Sequence, residues 1–195
     1  QVRTLTAVKI AFIGTHGVGK TTLCFDLAAR LKRMDTSLDM VKEVARDCPL
    51  PINRDTNLEA QEWILHTQIA QELVAASRHQ VVVCDRSILD NYAYLVHKLG
   101  RRPELDPLIR EWIHGYTLLV KVPVWRIPSY DGVRDVGLDF QKAIDATLDQ
   151  LIEAFGADVL RLDPREPERW VDVVIEALDL PERAEQVPLF PDADA

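Results

Sequence analysis

A glycine-rich motif near the start of the chain restricts the possible folds more than any other feature. Residues 14–21 read GTHGVGKT and match the pattern G-x-x-x-x-G-K-[ST] at every position. The motif follows an apolar stretch, Val8–Ile13, and precedes leucines at positions 23, 27 and 31. Glycines let such a turn curl so that backbone N–H groups and the N-terminus of the next helix face an anion. The motif therefore predicts a phosphate-binding loop, the P-loop, between a buried strand and a helix; the alternative is a glycine-rich turn without a ligand.

Each residue of the loop has a predicted role. Lys20 supplies a cation to the β- and γ-phosphates, and the Thr21 hydroxyl binds Mg²⁺. The predicted nucleotide-binding residues are Gly14, Thr15, His16, Gly17, Val18, Gly19, Lys20, Thr21 and Thr22. At His16 we expect the backbone to bind phosphate and the side chain to be free to vary. Because no N-K-x-D sequence for reading guanine occurs, the predicted co-substrate is ATP, with Mg²⁺ as its cofactor.

Apolar stretches of strand length alternate with longer amphipathic stretches along the chain. This alternation is typical of a parallel sheet with crossover helices, so we expect a three-layer α/β fold with five parallel strands. The predicted strands are 8–13, 38–44, 81–84, 116–122 and 159–162, and the predicted helices are 19–34, one from 58 onward, 87–99, 103–114, 138–155 and 164–178. The helix from position 58 has an apolar stripe at Leu58, Leu65, Ile69 and Leu73, with glutamates and glutamines on the other side. We expect one domain at 1–180 and a flexible tail at 181–195.

Charge and composition exclude several classes of function. The 195-residue chain has 31 Asp and Glu against 23 Lys and Arg, a net charge of -8, which is opposite in sign to what a phosphate-backbone binder needs. We therefore expect no nucleic-acid partner. No apolar run approaches the about 20 residues that span a bilayer, so we expect no membrane segment. Cys24, Cys48 and Cys84 are odd in number and lack metal-type spacing, which indicates reduced thiols in a cytoplasmic protein.

An acidic residue stands at the end of the third predicted strand. Asp85 follows the apolar run 81–84 and precedes Arg86 and Ser87. A carboxylate at the tip of a buried strand beside a P-loop orders Mg²⁺ or its water ligands. We therefore expect a metal or catalytic role for Asp85. The alternative is a cap on the following helix, a role that Ser87 could also fill.

Two further segments bring charged residues to the predicted ligand-binding edge of the sheet. Glu43 and Arg46 follow the second strand, where Glu43 can accept the proton of an attacking hydroxyl and Arg46 can hold substrate. Arg126 and Arg134 lie in a loop with prolines and glycines, and Arg134, the better placed, can neutralise charge on a transferred phosphoryl group. The alternatives are an ordinary ion pair at a strand end and a surface loop with solvated arginines.

The motifs together resemble those of the P-loop kinases for nucleosides and nucleotides. Residues 43–46 (EVAR), residues 85–87 (DRS) followed by Asp90 and Tyr94, and residues 131–134 (DGVR) carry the resemblance. They are most similar to the AAA_28-type ATPase and kinase family, which includes the nicotinamide riboside kinase domain of bacterial NAD-biosynthesis regulators. The resemblance extends over nearly the whole chain before the proposed tail.

The resemblance implies a strand order and roles for single residues. The implied order is 2-3-1-4-5, with Asp85 serving magnesium or the acceptor hydroxyl, Arg86 contacting substrate or phosphate, and Arg134 belonging to a lid. Thymidylate kinases carry an arginine directly before the glutamate of the second strand, whereas Lys42 precedes Glu43 here and no Glu-Pro pair follows. This departure argues against a nucleoside monophosphate as the acceptor.

The acceptor pocket is expected beside the third strand and the helix after it. The predicted substrate-binding residues are Arg46, Arg86, Asp90 and Tyr94, and further candidates for the pocket lining are Asn91, Tyr92 and Trp63. Carboxylates there bind hydroxyl groups, and aromatic rings stack on a base or a pyridine. The alternative for aromatic residues at helical spacing is core packing.

These inferences lead to an ATP- and Mg²⁺-dependent kinase that acts on a small hydroxylated acceptor, in the first place a nucleoside-like compound. Lys20, Thr21 and Mg²⁺ align the γ-phosphate, Glu43 or Asp85 draws the acceptor proton, and Arg134 completes the catalytic set. Two alternatives stay open: a regulatory P-loop ATPase without a small acceptor, and a kinase for a sugar or shikimate-type acceptor. A homodimer is a further expectation.

Overall fold

The computed structural model describes residues 7–52, 55–125 and 137–178. Within these ranges the chain forms five strands and six α-helices: β1 (Val8–Ile13), α1 (Lys20–Arg33), β2 (Leu38–Val41), α2 (Leu58–Arg78), β3 (Val81–Asp85), α3 (Ile88–Leu99), α4 (Asp106–Ile113), β4 (Leu118–Lys121), α5 (Leu138–Phe155), β5 (Val159–Arg161) and α6 (Trp170–Leu178). Arg126, Arg134 and the proposed tail at 181–195 lie outside the described residues, as does the predicted domain end at 180.

All five strands pair in parallel, in the order β2-β3-β1-β4-β5. The parallel five-stranded sheet and its strand order confirm the predictions. β1 is the central strand, and its register places Phe12 beside Asp85 at the carboxyl end of β3. Since ligands of open parallel sheets bind outside the carboxyl ends of the strands, the loop after β1 and the residues after β3 share one site.

Helices cover both faces of the sheet and create two cores. Side chains of β1 alternate between them: Ala11 and Ile13 face the core under α2, α3, α4 and α5, whereas Ile10 and Phe12 face the core under α1 and α6. All residues of β3 are buried, which explains its apolar run up to Asp85. The resulting three layers confirm the predicted α/β fold class.

β2 is shorter than predicted. It ends at Val41, and Val44–Asp47 forms a short 3-10 helix instead of continuing the strand to 44. Val44 turns into the core, and Glu43 turns toward β3, where its carboxylate pairs with Arg86. A contact between residues far apart in the chain therefore ends the strand, although the local sequence would extend it.

The starts of α6 and α4 also differ from the prediction. α6 covers Trp170–Leu178 rather than 164–178, because the Asp163 carboxylate accepts the N–H of Arg165 at 2.9 Å and opens a turn, which a 3-10 helix at Pro167–Arg169 follows. α4 begins at Asp106 rather than 103, after a turn. The other predicted boundaries agree with the structure to within two residues.

The buried face of α2 is more polar than predicted. Leu65 lies in the core as expected, but Leu73, assigned to the same apolar stripe, is 57% exposed. Gln68 and Glu72 are fully buried instead, and Gln61 is nearly so. The prediction that glutamines and glutamates of this helix face away from the core is therefore wrong for these three; hydrogen bonds described below explain the burial of Gln68 and Glu72, and Gln61 donates to the Thr56 hydroxyl at 2.8 Å.

Two global properties of the described chain bear on the sequence expectations. No helix in the described ranges is both long enough and apolar enough to cross a membrane. The three cysteines are free, with Cys24 and Cys84 buried and Cys48 partly exposed.

Candidate active site

The P-loop backbone depends on glycine at three positions. Gly14, Gly17 and Gly19 have φ angles of 141°, 71° and 102°, which L side chains rarely adopt. A Cβ on Gly14 would also lie 2.8 Å from the carbonyl oxygen of Val122, just after β4. α1 begins at Lys20 without a side-chain cap, so its first N–H groups stay available to an anion.

Lys20 curls back over the loop that precedes it. Its Nζ donates to the carbonyl oxygens of Gly14 at 2.9 Å and Thr15 at 2.5 Å, and the residue is buried. Burial, helped by the positive charge of Arg86, lowers the pKa of Lys20 to about 7 against the opposing effect of three nearby carboxylates. A phosphate in the loop would offer this amine anionic oxygens in place of neutral carbonyls.

Thr21 and Asp85 join the loop to the end of β3. The Thr21 hydroxyl donates to Oδ2 of Asp85 at 2.5 Å. Hydroxyl and carboxylate oxygens are the donors that Mg²⁺ prefers, so the pair fits a magnesium ion that takes its other ligands from phosphates and water. Among the described residues, no group of three or more His, Cys, Asp or Glu side chains is arranged to hold a metal.

Ser87, not Asp85, caps α3. Its Oγ accepts the N–H groups of Leu89 at 3.0 Å and Asp90 at 3.4 Å, and the Asp90 carboxylate accepts the N–H of Ser87 at 2.5 Å. This reciprocal pair is a capping box. The structure thus gives the cap role to Ser87 and Asp90 and leaves Asp85 with Thr21.

Arg86 is a buried cation that contacts two carboxylates and an aromatic ring. Its φ of 96° is rare for a residue with a side chain, and its N–H donates to the carbonyl oxygen of Phe12 at 3.2 Å. The guanidinium donates from Nε to Glu43 at 3.0 Å, lies 3.5 Å from Asp90 Oδ2, and stacks 4.9 Å from the ring centre of Tyr94. Strain in a fully restrained residue is typical of functional sites.

Glu43 and Arg46 form a pair that is buried on one side only. Glu43 is 8% exposed, and its second carboxylate oxygen accepts the Nε–H of Arg46 at 2.8 Å. The Arg46 side chain is 52% exposed. The ion pair named as the alternative is therefore present, but the buried link from Glu43 to Arg86 makes it part of the charged cluster rather than an isolated surface pair.

Asp90 and Tyr94, predicted to bind substrate, lie beside Arg86. Asp90 is fully buried; burial raises its pKa to about 6, against the charge of Arg86. Tyr94 accepts the N–H of His16 at 3.0 Å. The His16 side chain is 3% exposed, with Nδ1 3.3 Å from the Tyr94 oxygen and its ring 5.6 Å from that of Phe140, so it has packing contacts that the sequence did not indicate.

The other candidates for the acceptor pocket lie in the interior. Tyr92 is fully buried in the core and donates to Asp106 at 2.8 Å, on α4 and away from the P-loop. Trp63 packs against the same core, and Asn91 donates to Gln68 at 3.4 Å. For Tyr92 and Trp63 the alternative of core packing describes the structure, because their helices bury these faces against neighbouring helices.

A buried glutamate on α2, Glu72, is connected to the charged cluster through Gln68. Glu72 accepts hydrogen bonds from Lys9 at 3.1 Å, Gln68 at 2.9 Å, Trp112 at 2.8 Å and Tyr116 at 2.5 Å. Gln68 also donates to the carbonyl oxygen of the strained Arg86 at 3.3 Å. Sequence reasoning missed this network; polar residues in step with the buried stripe of α2 were the available signal.

Sequence reasoning also missed two side chains that contact the P-loop backbone. Trp125 donates to the carbonyl oxygen of Val18, and Gln141 on α5 donates to that of His16. Gln141 lies in step with the apolar residues of its helix, and a polar residue at such a position was the available signal.

The structure thus brings most of the predicted site residues together at one edge of the sheet. The P-loop with Lys20 and Thr21 meets Asp85, and Glu43, Arg86, Asp90 and Tyr94 form a charged cluster, with Arg46 at its rim.

Similarity to solved structures supports the assignment of a P-loop kinase fold to this chain. Deoxyadenosine kinase from M. mycoides with products dCMP and a flexible dCDP bound has a TM-score of 0.62 at 14% identity, over 88% of this chain and 98% of that one. The same kinase with bound dATP gives 0.62 at 13% identity, over 89% and 100%. NadR protein in complex with NAD and AMP-PNP gives 0.68 at 19% identity, over 95% of this chain and 53% of NadR, so the chain spans about half of NadR.

Comparison of the sequence with protein families identifies a family for this chain. No curated protein matches the chain. The model of the AAA_28 family, described as an AAA domain, matches residues 9–169, which contain the P-loop, the Glu43 and Arg86 cluster and all of the five strands except Val8. With a P-loop kinase fold and a family match over most of its length, the chain belongs to the AAA_28 family.

Proposed function

We propose that the protein is an ATP- and Mg²⁺-dependent kinase that phosphorylates a hydroxyl group of a small, nucleoside-like acceptor. The observation that carries the proposal is the bond between Thr21 and Asp85 beside the buried Lys20, directly next to the cluster of Glu43, Arg86 and Asp90. Thr21, Asp85 and Lys20 together suit a nucleoside triphosphate and its metal ion. The cluster suits an uncharged, hydroxylated partner, since the Arg86 guanidinium is already paired with both carboxylates and is not available to an anionic one.

On the nucleotide side, the chain would bind and orient the phosphates. The uncapped start of α1 and the glycine-rich turn offer N–H groups, and Lys20 would move its ammonium from two backbone carbonyls to the phosphate oxygens. Thr21 and Asp85 would hold Mg²⁺, which neutralises charge on the β- and γ-phosphates. Most of the rate enhancement would come from this positioning and charge balance.

On the acceptor side, we assign the proton-accepting role to Glu43. Asp85 is bonded to Thr21, the predicted metal ligand, and so belongs to the metal side. Glu43 lies in the cluster beyond it, and there the acceptor hydroxyl would replace the half-exposed Arg46 at the second carboxylate oxygen. As the acceptor oxygen forms its bond to the γ-phosphorus, the bond from that phosphorus to the bridging oxygen breaks and ADP leaves. The proton of the acceptor hydroxyl passes to Glu43. The sequence-based prediction that Arg134 adds positive charge stays part of the proposal.

Two observations support a nucleoside-like acceptor. Two proteins of similar fold, deoxyadenosine kinase and NadR, were solved with deoxynucleotides and with NAD and AMP-PNP, respectively. Lys42 stands where thymidylate kinases have an arginine, which disfavours an acceptor that carries a phosphate. Cytoplasmic location and a homodimer remain predictions.

The test is ADP release with Mg·ATP across a panel of acceptors: nucleosides, deoxynucleosides, nucleoside monophosphates, nicotinamide riboside, and simple sugars and polyols. The proposal expects turnover that depends on one nucleoside-like acceptor and is absent in Lys20→Ala. Slow hydrolysis that is equal with every acceptor would instead support the regulatory ATPase. Turnover with a sugar alone would support the other alternative.

A further inference from the structure

Two side chains hold alternate carbonyl groups of the P-loop. The Trp125 indole Nε1 donates to the Val18 carbonyl oxygen at 2.9 Å, and the Gln141 amide Nε2 donates to the His16 carbonyl oxygen at 2.8 Å. The first donor comes directly after β4 and the second from the first turns of α5. Neither belongs to the glycine-rich motif itself.

Holding a carbonyl also orients the next N–H group. In a planar trans peptide the C=O of one residue and the N–H of the next point in opposite directions. The bond to His16 therefore sets the direction of the Gly17 N–H, and the bond to Val18 sets that of the Gly19 N–H. Within the described residues, neither of these N–H groups has a protein acceptor. Both are free to donate to a ligand on the side of the loop away from Trp125 and Gln141.

Glycine is the residue at which a peptide plane most needs such support. Gly17 and Gly19 adopt φ angles of 71° and 102°, and without a side chain their backbones populate many conformations about equally well. An empty glycine-rich loop would therefore lose conformational entropy on binding phosphate, unless groups outside the loop already hold its peptide planes.

Both donors are themselves restrained. Gln141 is fully buried, and in the described part of the chain its Oε1 has no hydrogen-bond partner, so the His16 carbonyl is what orients the amide. The Trp125 ring packs edge-on against Trp170, with 5.2 Å between ring centres and 76° between planes. A buried amide with one unpaired atom costs stability. The hydrogen bond from its Nε2 to the His16 carbonyl oxygen connects this side chain to the P-loop backbone.

We propose that Trp125 and Gln141 are positioning residues that preset the Gly19 and Gly17 N–H groups for nucleotide phosphate. The inference rests on the proposed function, because it requires that the loop bind a nucleoside triphosphate. It adds a second layer to that site: one indole and one amide that touch no ligand and act through the backbone of the loop.

The experiment compares Trp125→Phe and Gln141→Met with the wild-type chain. Gln141→Met keeps the length of the side chain and loses the amide donor. Trp125→Phe keeps a six-membered ring and loses the pyrrole ring with its N–H donor. We expect the Kd of Mg·ATP, measured by titration calorimetry, to rise about five- to tenfold in each, the change that one net hydrogen bond corresponds to. In ¹⁵N–¹H spectra, ATP should shift the Gly17 and Gly19 signals in the wild type; Trp125→Phe should reduce the shift of Gly19, and Gln141→Met that of Gly17.

Trp170→Phe is the matched control. It removes an indole N–H bond to a backbone carbonyl, that of Asp163 at 2.7 Å, from the same aromatic pair but away from the P-loop. Phenylalanine at this position keeps an aromatic ring against Trp125, so we expect no change in the Kd of Mg·ATP even where the Tm falls. Trp125 is only partly buried, so Trp125→Phe keeps the test available if Gln141→Met does not fold.

Three outcomes would overturn the inference. Unchanged Kd values in Trp125→Phe and Gln141→Met, with a wild type that binds Mg·ATP, would overturn it and leave the proposed function standing. An equal rise in Trp170→Phe, or equal loss of both glycine shifts in either variant, would reduce both residues to general packing. A wild type without affinity for Mg·ATP would overturn the proposed function together with the inference.

Discussion

The low pKa of Lys20 makes nucleotide binding depend on pH in a defined direction. In the free protein, burial lowers this pKa to about 7. Phosphate oxygens favour the charged amine, so in the complex the pKa returns toward the ordinary lysine value. Below pH 7 the amine is protonated in both states, and affinity does not change on this account. Above pH 7 only the complex is protonated, so binding takes up a proton and affinity falls as pH rises.

The size of the effect follows from the same pKa. Well above pH 7 each pH unit weakens binding about tenfold, or about 1.4 kcal/mol. Because half of the amines are already deprotonated at pH 7, the Kd of Mg·ATP should rise about 50-fold between pH 7 and pH 9. A terminal phosphate loses its last proton near about pH 6, so its titration lies mostly below this window.

Titration calorimetry in two buffers with different ionisation enthalpies measures the proton uptake directly. At pH 8 we expect about 0.9 proton per bound nucleotide. Lys20→Arg is the control, because a guanidinium stays charged throughout and should bind with little pH dependence. A wild-type Kd that is constant from pH 7 to 9, or binding without proton uptake, would refute the reasoning.

Three further predictions concern catalysis and stability. Asp85→Asn keeps the side-chain size and removes the charge, so ADP release should fall about 100- to 1,000-fold at nearly unchanged Tm; a loss below about tenfold would contradict the metal-side role. Gly14→Ala combines a φ of 141° with a Cβ 2.8 Å from a carbonyl oxygen, so the free energy of unfolding in urea should fall by about 3 kcal/mol or more. Gly156→Ala is its control: φ is 63° and a Cβ meets nothing within 4 Å, so the loss should be about 1 kcal/mol. The folded pKa of Asp90, about 6, exceeds its ordinary 3.8. The protonated group therefore stabilises the fold below about pH 4, and this contribution is lost as pH rises through 6. Asp90→Asn should remove a change of about 3 kcal/mol from the pH profile of the free energy of unfolding, and an identical profile would contradict the assignment.

The parts of the fold that local sequence determines could be predicted. β1 and α5 occur at the predicted bounds, Val8–Ile13 and Leu138–Phe155, because an apolar run bounded by a glycine-rich turn and a regular stripe ended by Gly156 are local signals. The P-loop and Asp85 meet because parallel strands bring their carboxyl ends to one edge, which follows from topology alone.

The parts that depend on distant partners could not be predicted. Glu43 turns away from β2 to reach Arg86, which lies far along the chain. Gln68 and Gln141 occupy buried positions where periodicity expects apolar residues, since a hydrophobic pattern contains no information about a carbonyl that needs a donor. The positive φ of Arg86 has no local signal either, because glycine is the residue expected there.

The network around Glu72 limits how the protein can evolve. Its donors come from β1, from α2 itself, from α4 and from Tyr116, two residues before β4, so one carboxylate serves four separate stretches of chain. Replacing Glu72 by an apolar residue would leave donors from all of them unpaired at once, whereas a change in one donor leaves the other three in place. We therefore expect neutral substitutions in this region to occur first at the donors and last at position 72. A designer who changes the acceptor pocket through Arg86 or Gln68 has to keep a donor for Glu72, because Gln68 contacts both residues.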